Sequence, residues 1–245
     1  MSSGKRAFVV TGASNGIGRA TAKRLDADGY SVINIDLNPP ADATNDDPIA
    51  YVACDLADQD ATRAALAAIV RAYTVVGLVN NAGFAQTATL EDTTPDLMEQ
   101  TWRVNVLAPM ICAQALLPTM KAEGFGRIVN ICSRAALGRE LRTAYAGTKG
   151  NLLTMTKTWA LELGQQGITV NAIGPGPIAT ELYNRMNPPD SPRTKAIAAA
   201  NPVGRIGTPD DIANAVAFYA DPRSGFVNGQ IMYVCGGLTI GAGGV

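Results

Sequence analysis

Short apolar, β-branched runs recur along the chain and alternate with longer amphipathic stretches. The runs have the length of strands, and the stretches between them have the length of helices. The nearly continuous apolar character of Phe8–Val10 and Ile128–Ile131 is typical of strands covered on both faces of a parallel sheet. Seven strands are predicted, at Ala7–Thr11, Ser31–Asp36, Ala50–Cys54, Gly77–Asn81, Arg127–Cys132, Thr169–Ile173 and Gln230–Val234.

The alternation of strands with helix-length stretches predicts an α/β fold. We expect a doubly wound Rossmann fold, a seven-stranded parallel sheet with helices on both faces, in one domain spanning residues 1–245. Pro95 and Pro209 suit first helical turns because they follow Thr94 and Thr208, which are good N-caps. The helices are predicted at Gly16–Asp28, Asp58–Tyr73, Pro95–Ala122, Thr143–Gln165 and Pro209–Tyr219.

The segment 175–209 interrupts this alternation because it is rich in proline and asparagine. We predict that it is a mobile segment that covers a bound substrate.

Charge and hydropathy narrow the range of partners. Charged residues make up 17% of the chain, against about 25% in ordinary globular proteins, which favours a homo-oligomer with part of its surface hidden. The net charge of −1 and the lack of a basic run argue against a nucleic-acid partner. No apolar run has the length of a membrane span, and the start at Met1–Arg6 lacks the apolar region of a signal peptide. These features predict no membrane partner and a cytoplasmic location.

Histidine is absent, and this absence limits the possible chemistry. It excludes Ser-His-Asp and Cys-His nucleophilic catalysis, and it excludes metal sites built on histidine. The cysteines are scattered without a C-x-x-C pair, which argues against a zinc site or a disulfide framework and favours buried, small apolar side chains. No metal is predicted, and proton transfer must depend on another residue type. The cysteines are Cys54, Cys112, Cys132 and Cys235.

A glycine-rich turn, Thr11–Gly18, follows the first predicted strand. Gly12, Gly16 and Gly18 lack side chains that would keep the backbone away from a dinucleotide pyrophosphate. The N-terminus of the next helix would meet the charge of that pyrophosphate. By itself, the motif is also compatible with an ordinary β-to-α turn.

Asp36 ends the second predicted strand, where a carboxylate can accept hydrogen bonds from the ribose hydroxyls of an adenosine. The carboxylate would repel a 2′-phosphate. Asn15 and Leu37 supply no positive charge that would hold such a phosphate, so we predict NAD rather than NADP. The alternative is a turn aspartate at a strand end.

Tyr145 and Lys149 are one helical turn apart, shortly after a predicted strand and Ser133. A phenol can exchange a proton with an alcohol when its phenolate is stabilised, and a lysine ammonium provides that stabilisation. Beside a dinucleotide turn, this pair predicts an alcohol or ketone oxidoreductase. A solvated pair on an exposed helix is the alternative for the pair taken alone.

These motifs occur together with Asp55, Asn80–Gly83, Asn105 and Pro175-Gly176 in a characteristic order. From Thr11 to Gly237 the chain resembles the classical short-chain dehydrogenase/reductase family. The resemblance implies a homotetramer with a four-helix interface. It also implies the catalytic set Asn105, Ser133, Tyr145 and Lys149. Turn and resemblance together place the cofactor contacts at Gly12, Ser14, Asn15, Gly16, Ile17, Gly18, Asp36, Asp55, Leu56, Asn81, Tyr145, Lys149, Pro175, Ile178 and Thr180.

Three arginines, Arg134, Arg139 and Arg142, precede Tyr145 in a loop that should border the substrate cleft. Arg142 is closest to Tyr145 in helical spacing, so we expect it or Arg139 to bind an anionic group of the substrate. A salt bridge to Glu140 or to a neighbouring subunit is an equal alternative. The predicted substrate contacts are Ser133, Arg139, Arg142 and Tyr145.

The sequence therefore predicts an NAD-dependent oxidoreductase that interconverts a secondary alcohol and its ketone or lactone by hydride transfer. The expected small-molecule substrate is a sugar, a polyol or a small hydroxy acid, with an anionic substrate as one option. One alternative is an NADPH-dependent 3-oxoacyl thioester reductase, which Asp36 and Asn15 disfavour. The other is a non-catalytic NAD-binding sensor, which the complete catalytic set disfavours.

Overall fold

A computed structural model of the chain describes residues 6–44 and 46–240. Residues 1–5, which the location prediction uses, lie outside the described residues. Seven parallel strands form one sheet in the order β3-β2-β1-β4-β5-β6-β7, which confirms the predicted fold class. They are β1 (Ala7–Thr11), β2 (Ser31–Asp36), β3 (Ala50–Ala53), β4 (Val75–Asn80), β5 (Gly126–Ile131), β6 (Ile168–Pro175) and β7 (Ile231–Val234).

Helices connect the strands and cover the sheet. Thr94 and Thr208 cap their helices as predicted: the side chain of Thr94 accepts a hydrogen bond from Leu97 N, and that of Thr208 accepts one from Asp211 N. The helices are α1 (Gly16–Ala27), α2 (Gln59–Ala72), α3 (Pro95–Trp102), α4 (Ala108–Ala122), α5 (Thr143–Leu163), α6 (Glu181–Met186), α7 (Pro192–Ala199) and α8 (Pro209–Ala220).

The prediction of one helix over Pro95–Ala122 was wrong in one respect. A π-helical turn, Arg103–Leu107, separates α3 from α4. Asn105 lies in this turn with no solvent exposure, and its side chain bonds to the backbone of Phe84, which precedes it by 21 residues. Such turns often lie at functional sites. Helical periodicity does not reveal this contact, because the partner is distant in the chain.

The core lies on both faces of the sheet, as the continuous apolar strands predicted. Ala7 and Val9 of β1 belong to one apolar cluster, which includes residues of α2 and α4. Phe8 and Val10 point to the other face and join a cluster with residues of α1 and α8. The alternation along β1 therefore places one helical layer on each side of the sheet.

The strand order reverses beside β1, because β2 lies on one side of it and β4 on the other. In open parallel sheets, ligands bind at the carboxyl ends of the strands where the order reverses. Asn80, at the end of β4, donates to Asn130 Oδ1 of β5 at 2.8 Å and joins the two strands. A crevice for a ligand is therefore expected at the carboxyl edge of the sheet beside β1.

The predicted covering segment contains the short helices α6 and α7, which the sequence analysis did not anticipate. Residues near the two ends of the segment are joined by backbone hydrogen bonds. Ala179 N donates to Gly207 O at 2.8 Å, and Gly207 N donates to Pro177 O at 3.0 Å. The segment is thus a loop closed by backbone hydrogen bonds.

The four cysteines are free and buried, as predicted. Among the described residues, no helix combines the length and the apolar character needed to cross a bilayer.

Candidate active site

The glycine-rich turn packs so tightly that side chains are excluded from it. A Cβ on Gly18 would lie 2.1 Å from the carbonyl oxygen of Gly12, so only glycine fits there. Gly12 itself has φ +66°, a left-handed conformation that favours glycine. The N-terminus of α1 follows at Gly16. This backbone leaves room for an anion at the start of the helix.

Asn81 fastens the turn to the end of β4. Its Nδ2 donates to the carbonyl oxygens of Thr11 at 3.0 Å and of Gly12 at 2.9 Å. In return, Thr11 Oγ1 accepts the N–H groups of Asn81 and Ala82, both at 3.1 Å. The hydrogen bonds span the point where the strand order reverses and fix the floor of the crevice.

Asn34 supports the same turn, and the sequence analysis missed it. It lies in β2 with no solvent exposure. Its Nδ2 donates to Ser14 Oγ at 2.9 Å, and its Oδ1 accepts the N–H of Ala13 at 2.9 Å. The available signal was a polar residue in the middle of an apolar strand, since a buried amide requires partners.

Asp36, at the end of β2, points toward the turn. Its Oδ2 accepts the N–H of Ser14 at 3.0 Å, and the side chain stays half-buried. Asn15 and Leu37 are exposed on either side. The Asp36 carboxylate therefore lies at the end of β2 beside the glycine-rich turn, as predicted from the sequence.

Arg19 and Lys23 of α1, the helix that follows the glycine-rich turn, form ion pairs with acidic residues. The guanidinium of Arg19 lies 2.8 Å from Asp42 Oδ1 and 2.5 Å from Asp47 Oδ2. Lys23 Nζ lies 2.6 Å from Asp42 Oδ2. Bonds from Lys23 and Arg19 hold the pKa of the Asp42 carboxyl below its ordinary value. The positive charge of α1 is thus balanced within the protein.

The remaining predicted cofactor contacts line the same edge. A Cβ on Gly16 would lie 3.1 Å from Thr180 Cγ2, so the covering segment starts beside the glycine-rich turn. Asp55 is exposed and accepts the N–H of Ala57 at 2.9 Å, while Asp58 is the residue that caps α2. Leu56, Pro175 and Ile178 are buried and Ile17 is partly buried. A glycine cradle, a helix N-terminus and a carboxylate in this order fit an extended dinucleotide.

Lys149 lies in the second turn of α5 and is nearly buried, at 3% exposure. Its Nζ donates to the carbonyl oxygen of Ile131 at 2.8 Å and lies 5.8 Å from the centre of the Tyr145 ring. The structure therefore holds the ammonium at the end of β5, close to the tyrosine.

Ser133 lies two residues after the end of β5 and caps a 3-10 turn at Arg134–Leu137. Its Oγ accepts the N–H of Ala135 at 3.1 Å. A hydroxyl that accepts in this way still has its own proton to donate. The serine is thus fixed near the carboxyl edge while it keeps a donor.

Asn105 connects the π turn to the first turns of α5. Its Nδ2 donates to Thr148 Oγ1 at 3.0 Å, and Thr148 Oγ1 donates to the carbonyl oxygen of Tyr145 at 2.8 Å. A Cβ on Gly83 would lie 3.5 Å from both Asn105 Oδ1 and Lys149 Nζ. The four predicted catalytic residues therefore cluster at one edge of the sheet.

The loop before α5 is held in an unusual conformation. Leu141 has φ +60° and is the one non-glycine residue with positive φ in the described ranges. Its carbonyl oxygen accepts the N–H of Ala88 at 3.2 Å. The guanidinium carbon of Arg142 then lies 5.9 Å from the centre of the Tyr145 ring. Left-handed backbone at a bulky residue costs energy and is often found at functional sites.

A cavity of about 280 Å³ opens beside this loop, with Arg193 of α7 in its wall. Arg193 was not predicted, because no local pattern connects it with the loop. Arg134, by contrast, does not line the cavity. No salt bridge between Glu140 and an arginine occurs in the described part of the chain. The lining is Thr87, Arg139, Glu140, Leu141, Arg142 and Arg193.

A larger cavity, of about 590 Å³, lies between α1 and α8 and includes Tyr30, Phe218 and Asp221 in its lining. Tyr30 precedes β2, so this cavity lies at the opposite edge of the sheet from Tyr145. In the residues described, no three His, Cys, Asp or Glu side chains come close enough together to hold a metal ion.

Comparisons with known proteins agree with this geometry. A family model described as Enoyl-(Acyl carrier protein) reductase matches residues 12–239. The chain is 35% identical to a hydroxy(phenyl)methyl-succinyl-CoA dehydrogenase subunit, BbsD, of Thauera aromatica, over 97% of this chain and 98% of BbsD. It is 33% identical to a 3-oxoacyl-(acyl-carrier-protein) reductase of Thermotoga maritima, over 95% of this chain and 97% of that enzyme.

Among solved structures, the chain resembles a gluconate 5-dehydrogenase of Burkholderia cenocepacia in complex with NADP and tartrate. The two share 34% identity with a TM-score of 0.88, over 96% of this chain and 95% of the other. Fold, motif order and these matches lead to one conclusion: the chain belongs to the classical short-chain dehydrogenase/reductase family, whose members are nicotinamide-dependent oxidoreductases.

Proposed function

We propose that the protein is an NAD-dependent dehydrogenase that interconverts a secondary alcohol and its ketone or lactone. One observation carries the proposal: the Asp36 carboxylate borders the glycine-rich turn at the end of β2, and the Tyr145–Lys149 pair lies beside the end of β5 at the same carboxyl edge of the sheet. Gly12, Gly16 and Gly18 would hold the pyrophosphate, and Asp36 the ribose. When bound, the nicotinamide supplies the acceptor or donor of the hydride.

Tyr145 would take the proton from the substrate hydroxyl during oxidation and return it during reduction. Lys149 favours this exchange because its ammonium stabilises a phenolate. The hydrogen bond to Ile131 O holds the ammonium in place, so little reorganisation accompanies the proton transfer.

Ser133 would orient the substrate oxygen through its hydroxyl proton. Asn105 would act as a positioning residue, because its bonds to the backbone of Phe84 and to Thr148 Oγ1 join the segment after β4 to the residue that precedes Lys149. In the family, the matching asparagine also anchors a water that connects the lysine to solvent.

A sugar, a polyol or a small hydroxy acid is the substrate class that we propose. The relatives support it, since gluconate is a sugar acid and tartrate is a hydroxy acid. Arg139 and Arg142 line the cavity beside Tyr145, and guanidinium groups suit carboxylates. We therefore favour an anionic substrate.

The competing enzyme function is an NADPH-dependent 3-oxoacyl thioester reductase. It is favoured by the description of the matching family model, by the Thermotoga maritima relative and by the NADP in the Burkholderia cenocepacia structure. The pairing of Arg19 and Lys23 with acidic residues disfavours it, because these cations are not available to a 2′-phosphate.

The test is a titration of the protein with NAD and with NADP, followed by turnover assays. The assay panel contains polyols, sugar acids and hydroxy acids with NAD, and acetoacetyl-CoA with NADPH. Tighter binding of NAD and turnover of an alcohol, lost in Tyr145→Phe, would support the proposal. Full activity in Tyr145→Phe would refute the acid–base assignment. NAD binding without any turnover would favour a sensor.

We also propose a cytoplasmic homotetramer. Leu161 on α5 is 86% exposed and Phe226 after α8 is fully exposed, although large apolar side chains are usually covered. A subunit interface on α5 would bury Leu161. A measured mass of the monomer alone at micromolar concentration would contradict this proposal.

A further inference from the structure

Three arginines from two distant parts of the chain meet in the cavity beside α5. Arg139 and Arg142 come from the loop before α5, whereas Arg193 is in the first turn of α7 in the covering segment. Glu140 is the one acidic residue of the lining. Three positive charges and one negative charge leave a net of two positive charges.

The described residues provide no acidic partner for these arginines. Across residues 6–44 and 46–240, Arg139, Arg142 and Arg193 form no salt bridge with an aspartate or a glutamate. Burial lowers the pKa of Arg142, and the positive charge of Arg139 lowers it further. Arg142 is partly buried, whereas Arg139 and Arg193 are exposed. Like charges around one cavity repel each other, and an anion between them would reduce that repulsion.

A second feature lies on α6, the helix that precedes α7. Tyr183 of α6 has a buried Oη with no hydrogen-bond partner among the described residues, although it is not part of the cavity lining. Burial raises the pKa of Tyr183, and the positive charges of Arg139 and Arg193 lower it. An unsatisfied buried polar group costs about 1–3 kcal/mol, and a bound ligand can supply the missing bond.

The size of the cavity limits the ligand. About 280 Å³ is slightly below the range of roughly 300–1,000 Å³ for pockets that enclose a whole drug-sized ligand. The cavity therefore suits one small group of a substrate. A net of two positive charges suits a group with two negative charges.

We propose that this cavity binds a dianionic group of the substrate, either a phosphate monoester or a pair of carboxylates, and that Arg193 is a specificity-determining residue. The inference rests on the proposed function, because Arg142 lies both in the cavity wall and next to Tyr145. A dianion there would connect α7 of the covering segment with the loop before α5. The substrate charge would thereby hold the segment closed over the site.

The experiment uses small probes that do not react. Calorimetric titrations of the NAD-saturated protein would compare succinate, inorganic phosphate, butyrate and 1,4-butanediol at low salt. Butyrate carries one charge, and 1,4-butanediol has four carbons like succinate but no charge. Each titration is repeated with Arg193→Gln and with Lys195→Gln, which removes one exposed charge from the same helix without touching the cavity.

We expect succinate or phosphate to bind at least about tenfold more tightly than butyrate, with no measurable binding of 1,4-butanediol. Arg193→Gln should weaken binding of the dianion by about tenfold, and Lys195→Gln should leave the affinity unchanged. Preference for succinate would indicate two carboxylates, and preference for phosphate a monoester. Equal binding of butyrate, or an unchanged affinity in Arg193→Gln, would overturn the inference. The NAD titration separates the two ideas, because failure to bind NAD would instead overturn the proposed function.

Discussion

Asn105 holds Phe84 by both of its backbone groups: Oδ1 accepts the N–H at 2.8 Å, and Nδ2 donates to the carbonyl oxygen at 2.9 Å. The same Nδ2 donates to Thr148 Oγ1 at 3.0 Å. One fully buried amide thus joins the segment after β4, the π turn and α5. Each bond runs between parts of the chain that are far apart in sequence.

Replacing Asn105 with alanine should lower the free energy of unfolding by about 1–3 kcal/mol, because buried backbone groups lose their partners. Urea denaturation measures this loss. The control is Gln114→Ala on the exposed side of α4, which should change stability by less than about 0.5 kcal/mol. Equal effects of the two substitutions would contradict the positioning role of Asn105.

Arg142→Ala should raise KM for an anionic substrate by a factor that corresponds to about 1–3 kcal/mol, since a charge-assisted bond is lost. The affinity for NAD should stay nearly the same, because Arg142 contacts the ring of Tyr145 and the cavity rather than the glycine-rich turn. Arg134→Ala, in the same loop but outside the cavity, is the matched control in the steady-state kinetics. If the wild type prefers uncharged alcohols, Arg139 and Arg142 have a structural role instead.

Leu141 should tolerate glycine better than valine. Leu141→Gly removes the left-handed strain at φ +60° and should change stability by less than about 1 kcal/mol, since glycine also costs entropy. Leu141→Val places a β-branched residue in that conformation and should cost about 1–3 kcal/mol. Leu182→Val, at an exposed position in α6, is the control, with a helix-propensity cost of about 0.5 kcal/mol. Denaturation curves in which Leu141→Val and Leu182→Val coincide would disprove the strain.

Asp36→Ala should weaken NAD binding by roughly tenfold to a hundredfold, because a charged acceptor contributes about 1.5–3 kcal/mol. NADP binding should become tighter, since the carboxylate no longer repels the 2′-phosphate. Fluorescence titrations with both nucleotides measure the two shifts. Asp60→Ala, an exposed acid in α2, should leave both affinities unchanged. Parallel loss of NAD and NADP binding in Asp36→Ala would argue against a role in cofactor choice.

Asp211 should stabilise the protein at neutral pH and lose this effect in acid. Bonds from Arg205, and then from the N–H of Thr208, hold the pKa of the Asp211 carboxyl below its ordinary value. A carboxyl with a lowered folded pKa stabilises above its unfolded pKa of about 3.9, and the stabilisation fades as pH falls toward the folded value.

Asp211→Asn should therefore cost about 1 kcal/mol near pH 7, with a clearly smaller cost near pH 3. Urea denaturation at both values tests this, with the neighbouring, exposed Asp210→Asn as the control. A cost that does not depend on pH would show that the charge of Asp211 contributes little.

Features that depend on neighbouring residues could be predicted from the sequence. The alternation of apolar runs and amphipathic stretches gave β1, β2 and α1 nearly to the residue, and the Thr-Pro pairs gave the starts of α3 and α8. The glycine spacing, Asp36 and the interval from Tyr145 to Lys149 are local as well. Hydrogen bonding and steric limits over a few residues fix these features, so they can be recognised without knowledge of the fold.

Contacts between segments that are distant in sequence depend on the tertiary fold. The π turn exists where Asn105 meets Phe84, and Asn34 serves the glycine-rich turn because β1 and β2 lie side by side. Arg193 lines the cavity because the fold brings α7 beside the loop before α5. Packing brings these residues together across long stretches of chain, and no pattern within one segment encodes such a contact.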